Sequence, residues 1–205
     1  MDKASNTAAV GHAALRFSGL HFADYRLYMF LMALVALDIA LPNIFHHLGA
    51  LGPSLLPMQF IILLTGLTLG WRAGLLAGML SPVISYLVSG MPLAILLPQL
   101  TLENMAYGFT AGFLRENFGL GIGRSLIISM LAGRLVLWLG VSLIYFGQPL
   151  PAPSVMPWVT GVLPAVNSPL AYLAAAMLQG LPGLAAQILF IPSAVKVADR
   201  WLQKA

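Results

Sequence analysis

Apolar residues along this chain gather into six long runs separated by short polar breaks. The runs cover about residues 27–44, 55–69, 73–88, 93–113, 125–146 and 170–195, with ends soft by about two to four positions. Runs this long and this free of charge predict membrane-spanning helices. Several are only about 16 to 20 residues long, close to the minimum for a bilayer at a rise of about 1.5 Å per residue. The expected fold is all-α, a polytopic bundle of six transmembrane helices.

The breaks carry their own signals. Pro42-Asn43 predicts a kink or an end to the first span, and His46-His47-Leu48-Gly49 a loop. Trp71-Arg72 predicts a short interfacial turn, an aromatic anchor beside a positive charge. Ser89-Gly90-Met91-Pro92 reads as a helix stop followed at once by a restart. Arg115-Glu116-Asn117 closes the fourth span, and Gly119-x-Gly121-x-Gly123-Arg124 forms a flexible link. Residues 147–169 carry no charge and six prolines, a long loop over one mouth of the bundle with Trp158 as an interfacial ring. The polar stretch 1–24 is a tail. The membrane domain is expected over 25–198, with a second short tail at 199–205.

Composition agrees with the pattern. The chain has 205 residues, 60% hydrophobic and only 8% charged, against about 25% charged in soluble domains. Its 14 prolines and 20 glycines are tolerated in a membrane bundle, where neighbouring helices satisfy freed backbone groups. With no cysteine there is no disulfide framework, thiolate metal site or cysteine nucleophile. The net charge of +4 does not imply nucleic acid, because the basic residues are scattered at span ends. The loops after the first, third and fifth spans hold no Lys or Arg. Lys3, Arg16, Arg26, Arg72, Arg115, Arg124, Lys196, Arg200 and Lys204 fall on the other side. The excess of positive charge on cytoplasmic loops then predicts both termini in the cytoplasm, which six spans also require.

Three ionisable residues lie within the runs: Asp38, Glu103 and Arg134. Such residues face the bundle interior and mark binding sites or internal ion pairs. Glu103 and Asn104 form a polar pair below the Gly90-Met91-Pro92 turn, with Gln99 nearer the mouth and Gln59 at the opening of the second span. Arg134 lies ten residues after Arg124, about 15 Å deeper along a helix, which calls for an internal partner. The expected substrate-binding set is Glu103, Asn104, Arg134, Gln99, Tyr107 and Gln59. For Asp38, a helix-interface or gating role and ligand contact stand as equal readings. The pairs Gly66/Gly70, Gly74/Gly78 and Gly108/Gly112 predict close helix approach within the chain. His46-His47 reads as loop histidines, since adjacent side chains diverge and no third ligand stands at a metal-site spacing. No Walker motif, no HExxH and no nucleophile–base set occurs, so neither catalytic residues nor a metal nor a cofactor is expected.

Taken in order, several local sequences resemble one family. They are Leu56-Pro57-Met58-Gln59, then Gly66-Leu-Thr-Leu-Gly70-Trp-Arg-Ala-Gly74-Leu-Leu-Ala-Gly78, Ser81-Pro82, Ser89-Gly90-Met91-Pro92, and Glu103-Asn104-Met105-Ala106-Tyr107-Gly108 with Gly112. With six spans and a small size, the chain resembles the substrate-binding S component of energy-coupling factor (ECF) vitamin transporters over about residues 27–195. The resemblance implies a multi-pass protein of a prokaryotic plasma membrane that captures a vitamin or related micronutrient near the outer face. It implies two sets of partners, a membrane coupling subunit and two cytoplasmic ATPases. It further implies that an Ala-x-x-x-Ala pair on the first helix docks on the coupling subunit. Ala36 and Ala40 match that pair, with Ala33 as an alternative position on a shifted face. Two other readings stand beside it: an intramembrane enzyme using Glu103, Asp38 and Arg134, and a structural subunit of a membrane complex.

Overall fold

The computed structural model describes residues 25–46, 56–146, 159 and 168–202. Among them are six α-helices and no strand. In chain order they are α1 (Tyr25–His46), α2 (Pro57–Leu69), α3 (Trp71–Ser89), α4 (Leu97–Phe118), α5 (Ile122–Ile144) and α6 (Pro169–Leu202), with a single 3-10 turn at Ala94–Leu96 before α4. The tail at 1–24, His47, Trp158 and nearly all of the Pro-rich loop lie outside the described residues.

Several helices outrun their apolar segments. Pro42 does not end α1, which continues to His46, so His46 closes a helix and does not sit in a loop. Trp71 and Arg72 form the first turn of α3, not a separate turn: Gly70, at φ 93°, reverses the chain in one residue. A positive φ is open to glycine without steric cost. Arg115-Glu116-Asn117 does not stop α4, because the helix runs to Phe118 and is closed by Gly119 at φ 62°. Pro169, expected in the loop, opens α6, where its missing N–H costs nothing. Pro182 and Pro192 lie inside α6, which passes residue 198 and ends at Leu202.

α4 is the hub. It packs against α2, α3 and α5, while α6 closes the bundle against α2 and α5, and α1 lies on α2 and α3. The glycines explain how α2 and α3 meet on α4. A Cβ on Gly66 or on Gly74 would meet the backbone carbonyl of Gly108, and one on Gly78 would meet that of Asn104. The glycine pairs therefore serve packing within the chain, as expected, and bring backbones together where larger residues would hold them apart.

Among the described residues, three helices are long and apolar enough to cross a membrane: Trp71–Ser89, Ile122–Ile144 and a span within α6, Pro169–Arg200. Tyr28–Ala40 and Pro57–Leu69 are apolar but shorter. α4 has the length, with 22 residues, but is the least apolar of the six. Its buried residues include Gln99, Glu103, Asn104 and Arg115. The outer surface is oily: Leu87, Val88, Leu143 and Leu189 are each 70% exposed or more. An apolar surface of this kind matches hydrocarbon and not water.

Candidate functional site

Gln99, Glu103 and Tyr107 follow one another at four-residue spacing, which puts them on one face of α4. All three are buried. One oxygen of Glu103 gathers donors from three helices. Arg134 Nη1 on α5 donates to Glu103 Oε1 at 2.9 Å, and Tyr107 OH, one turn along α4, donates to the same atom at 2.9 Å. Gln59 Nε2 from the first turn of α2 donates to it at 3.4 Å. Arg134 is thus the internal partner that its depth demanded, and at rest it neutralises the Glu103 carboxylate.

Small residues seat this cluster. A Cβ on Gly133, the neighbour of Arg134, would collide with the Tyr107 ring. Gly180 on α6 leaves room for the guanidinium, since a Cβ there would lie 3.0 Å from Arg134 Nη2 and 2.9 Å from Leu56 Cδ1. Leu56 caps α2 at φ 50° and supplies no side-chain cap. Gln59 reaches Glu103 from the same turn, so the N-terminal end of α2 lies inside the bundle, level with the carboxylate. That end carries the positive pole of the helix dipole. A start at this depth also explains why α2 needs only 13 residues.

The polar lining extends above and beside Glu103. Gln99 Nε2 donates to Tyr172 OH on α6 at 2.6 Å. Asn104 Nδ2 reaches the Met58 sulfur at 3.7 Å, and Gln187 Nε2 on α6 donates to the Leu56 carbonyl at 3.4 Å. Tyr145 OH donates to the Ile95 carbonyl at 2.5 Å, tying the end of α5 to the 3-10 turn. Five of the six expected binding residues, Glu103, Arg134, Tyr107, Gln59 and Gln99, are thereby in, or one helical turn from, a single cluster. The sixth, Asn104, sits on the α2-facing side of α4. Gln187 and Tyr172 belong to the same lining and were not among the expected residues. Gln187 is a lone amide in the apolar run between Pro182 and Pro192, the same signal that exposes Glu103.

The other features fall elsewhere. Asp38 is fully buried on α1, where the Ser81 hydroxyl of α3 approaches it, though neither carboxylate oxygen completes a hydrogen bond. It lies at the interface between α1 and α3 and shares no hydrogen bond with the Glu103 cluster. Ala33, Ala36 and Ala40 are all exposed. They lie on the outward face of α1, with Met29, Met32 and Leu37. Leu31, Val35 and Asp38 point inward, at the spacing of a helix with one buried stripe. Asp38 therefore does not interrupt the alanine face.

A model of the family "ECF transporter, substrate-specific component" matches residues 30–195. The match runs from within α1 to within α6 and covers most of the chain. The chain belongs to this family. No curated protein and no solved structure matches it. As an ECF S component it is a membrane protein and a substrate-binding subunit of a transporter, not an enzyme. The Glu103 cluster accordingly has no need of a nucleophile or a general base. An S component's work is to bind a small molecule and to associate with an energising module of membrane and ATPase subunits.

Proposed function

We propose that this S component captures a vitamin or related micronutrient in the bundle interior, with Glu103 and Arg134 at its centre and Gln59, Gln99, Asn104 and Tyr107 around them. The observation that carries the reading is the convergence of α2, α4 and α5 on one Glu103 oxygen, with buried polar atoms left over at its rim. A purely structural ion pair has no use for such a surplus, because each unpartnered buried group costs free energy. Six spans with both termini in the cytoplasm are the reading that the distribution of Lys and Arg supports, and the resemblance to vitamin importers adds a prokaryotic plasma membrane. In that orientation the Gly90-Met91-Pro92 turn faces outward and forms the rim above the cluster.

The exposed Ala33/Ala36/Ala40 face of α1 fits docking on the membrane coupling subunit, which two ATPases drive. A smooth face of small residues lets a partner helix approach closely. Two substitutions separate the roles. Glu103→Ala weakens micronutrient binding at least tenfold in calorimetry, and unchanged affinity would rule out the site. Ala36→Trp leaves binding intact and abolishes co-purification with the coupling subunit. Normal co-purification would rule out the docking face.

A further inference from the structure

We infer that the end of the substrate buried in this site is uncharged and presents a carbonyl flanked by N–H groups, as in a carboxamide, lactam or ureide. The inference rests on the reading of the Glu103 cluster as the binding site and specifies what that site takes. It starts from the hydrogen-bonding capacity left unused. Arg134 spends Nη1 on Glu103, while Nε and Nη2 are buried without a partner. These two nitrogens form one edge of the guanidinium and present two parallel donors. Four amide oxygens are likewise buried without a partner: those of Gln59, Gln99, Asn104 and Gln187.

The orientation of three of these amides is locked. The NH₂ groups of Gln59, Asn104 and Gln187 face a carboxylate oxygen, a thioether sulfur and a backbone carbonyl. Each of those partners only accepts, so turning the amide over would set acceptor against acceptor. Their oxygens are therefore the free groups, and only a donor satisfies them. The site asks for N–H groups toward the glutamines and an acceptor toward Arg134.

Charge decides against a carboxylate. Glu103 and Arg134 already cancel, and a bare anion added beside them would be the one uncompensated charge in an apolar interior. A carboxylate would also turn its oxygens toward amide oxygens that cannot donate. A neutral carbonyl accepts from Arg134 without that penalty.

The test is equilibrium binding of a fixed panel to the purified full chain in detergent. Biotin, riboflavin and nicotinamide supply ureide, pyrimidinedione and carboxamide edges. Nicotinate and lipoate are carboxylates with no amide, lactam or ureide, and thiamine is a cation. The expected result is that a compound of the first group binds at least 100-fold more tightly than any of the other three. Arg134→Gln then lowers its affinity at least 100-fold. The doubly neutral variant Glu103→Gln/Arg134→Gln, which leaves no lone buried charge, stays monodisperse and still loses at least tenfold. Tightest binding of nicotinate, lipoate or thiamine overturns the inference, as does failure of every first-group compound to bind, or undiminished affinity in the double variant. Co-purification with the coupling subunit distinguishes the two levels. If nicotinate or lipoate binds and the subunit is retained, only the ligand class is lost; if nothing binds and no subunit is retained, the transporter role of the cluster goes with it.

Discussion

Arg115 and Arg134 are both buried arginines paired with a carboxylate, yet they are finished differently. Arg115, near the end of α4, donates to the Leu67 carbonyl at the end of α2. It reaches both oxygens of Asp199 on α6, at 2.5 Å and 3.4 Å. None of its nitrogens is buried without a partner. Arg134 shares a single carboxylate oxygen with two other donors and keeps two nitrogens unused. The first arrangement is a clamp that ties three helix ends together, joined nearby by the Arg72–Glu116 pair at 3.0 Å between α3 and α4. The second is incomplete by two donors, as a binding group must be before its ligand arrives. Satisfaction of hydrogen bonds, more than burial, separates a structural arginine from a receptive one.

That contrast breaks first at the two arginines themselves. Arg134→Gln is expected to lose at least 100-fold in binding, the largest effect, read by calorimetry on protein that remains monodisperse. Arg115→Gln is expected to cost about 3–5 kcal/mol of stability, because it leaves Asp199 unpaired and the Leu67 carbonyl without its donor. Thermal unfolding in detergent measures that loss, and the protein that remains folded should bind within about threefold of the parent chain. Equal binding losses in the two variants would erase the distinction. The smallest effect sharpens it. Gln187→Leu removes one receptive amide, so affinity should fall about tenfold, equivalent to about 1.4 kcal/mol, while stability shifts by less than about 1 kcal/mol.

The sequence made some of this legible and hid the rest for definable reasons. Glu103 and Arg134 stood out because a charge inside an apolar run needs a partner, and the partner each found is the other. The glycine pairs announced close helix contacts, and they supply them at Gly66, Gly74, Gly78 and Gly108. The clamp was hidden, because Arg115 and Asp199 lie beyond the apolar runs and read as loop charges. Both helices extend past those runs, and the pairing spans 84 residues, which no local pattern encodes. Tyr172 and Gln187 depend on how α6 is rotated against α2 and α4, a property of packing and not of period. Asp38 shows the limit of reading neighbours in sequence: it stands between Ala36 and Ala40, yet the helical turn carries it to the buried side of α1.

The central claim is that the incomplete cluster around Glu103 is a receptor site. The most direct measurement is mass spectrometry of small molecules released from three purified proteins: the parent chain, Glu103→Ala and Arg115→Gln. A micronutrient-sized compound should be released from the parent chain and from folded Arg115→Gln, and be absent from Glu103→Ala. The same compound released in equal amount from Glu103→Ala, or none from the parent chain, would contradict the account.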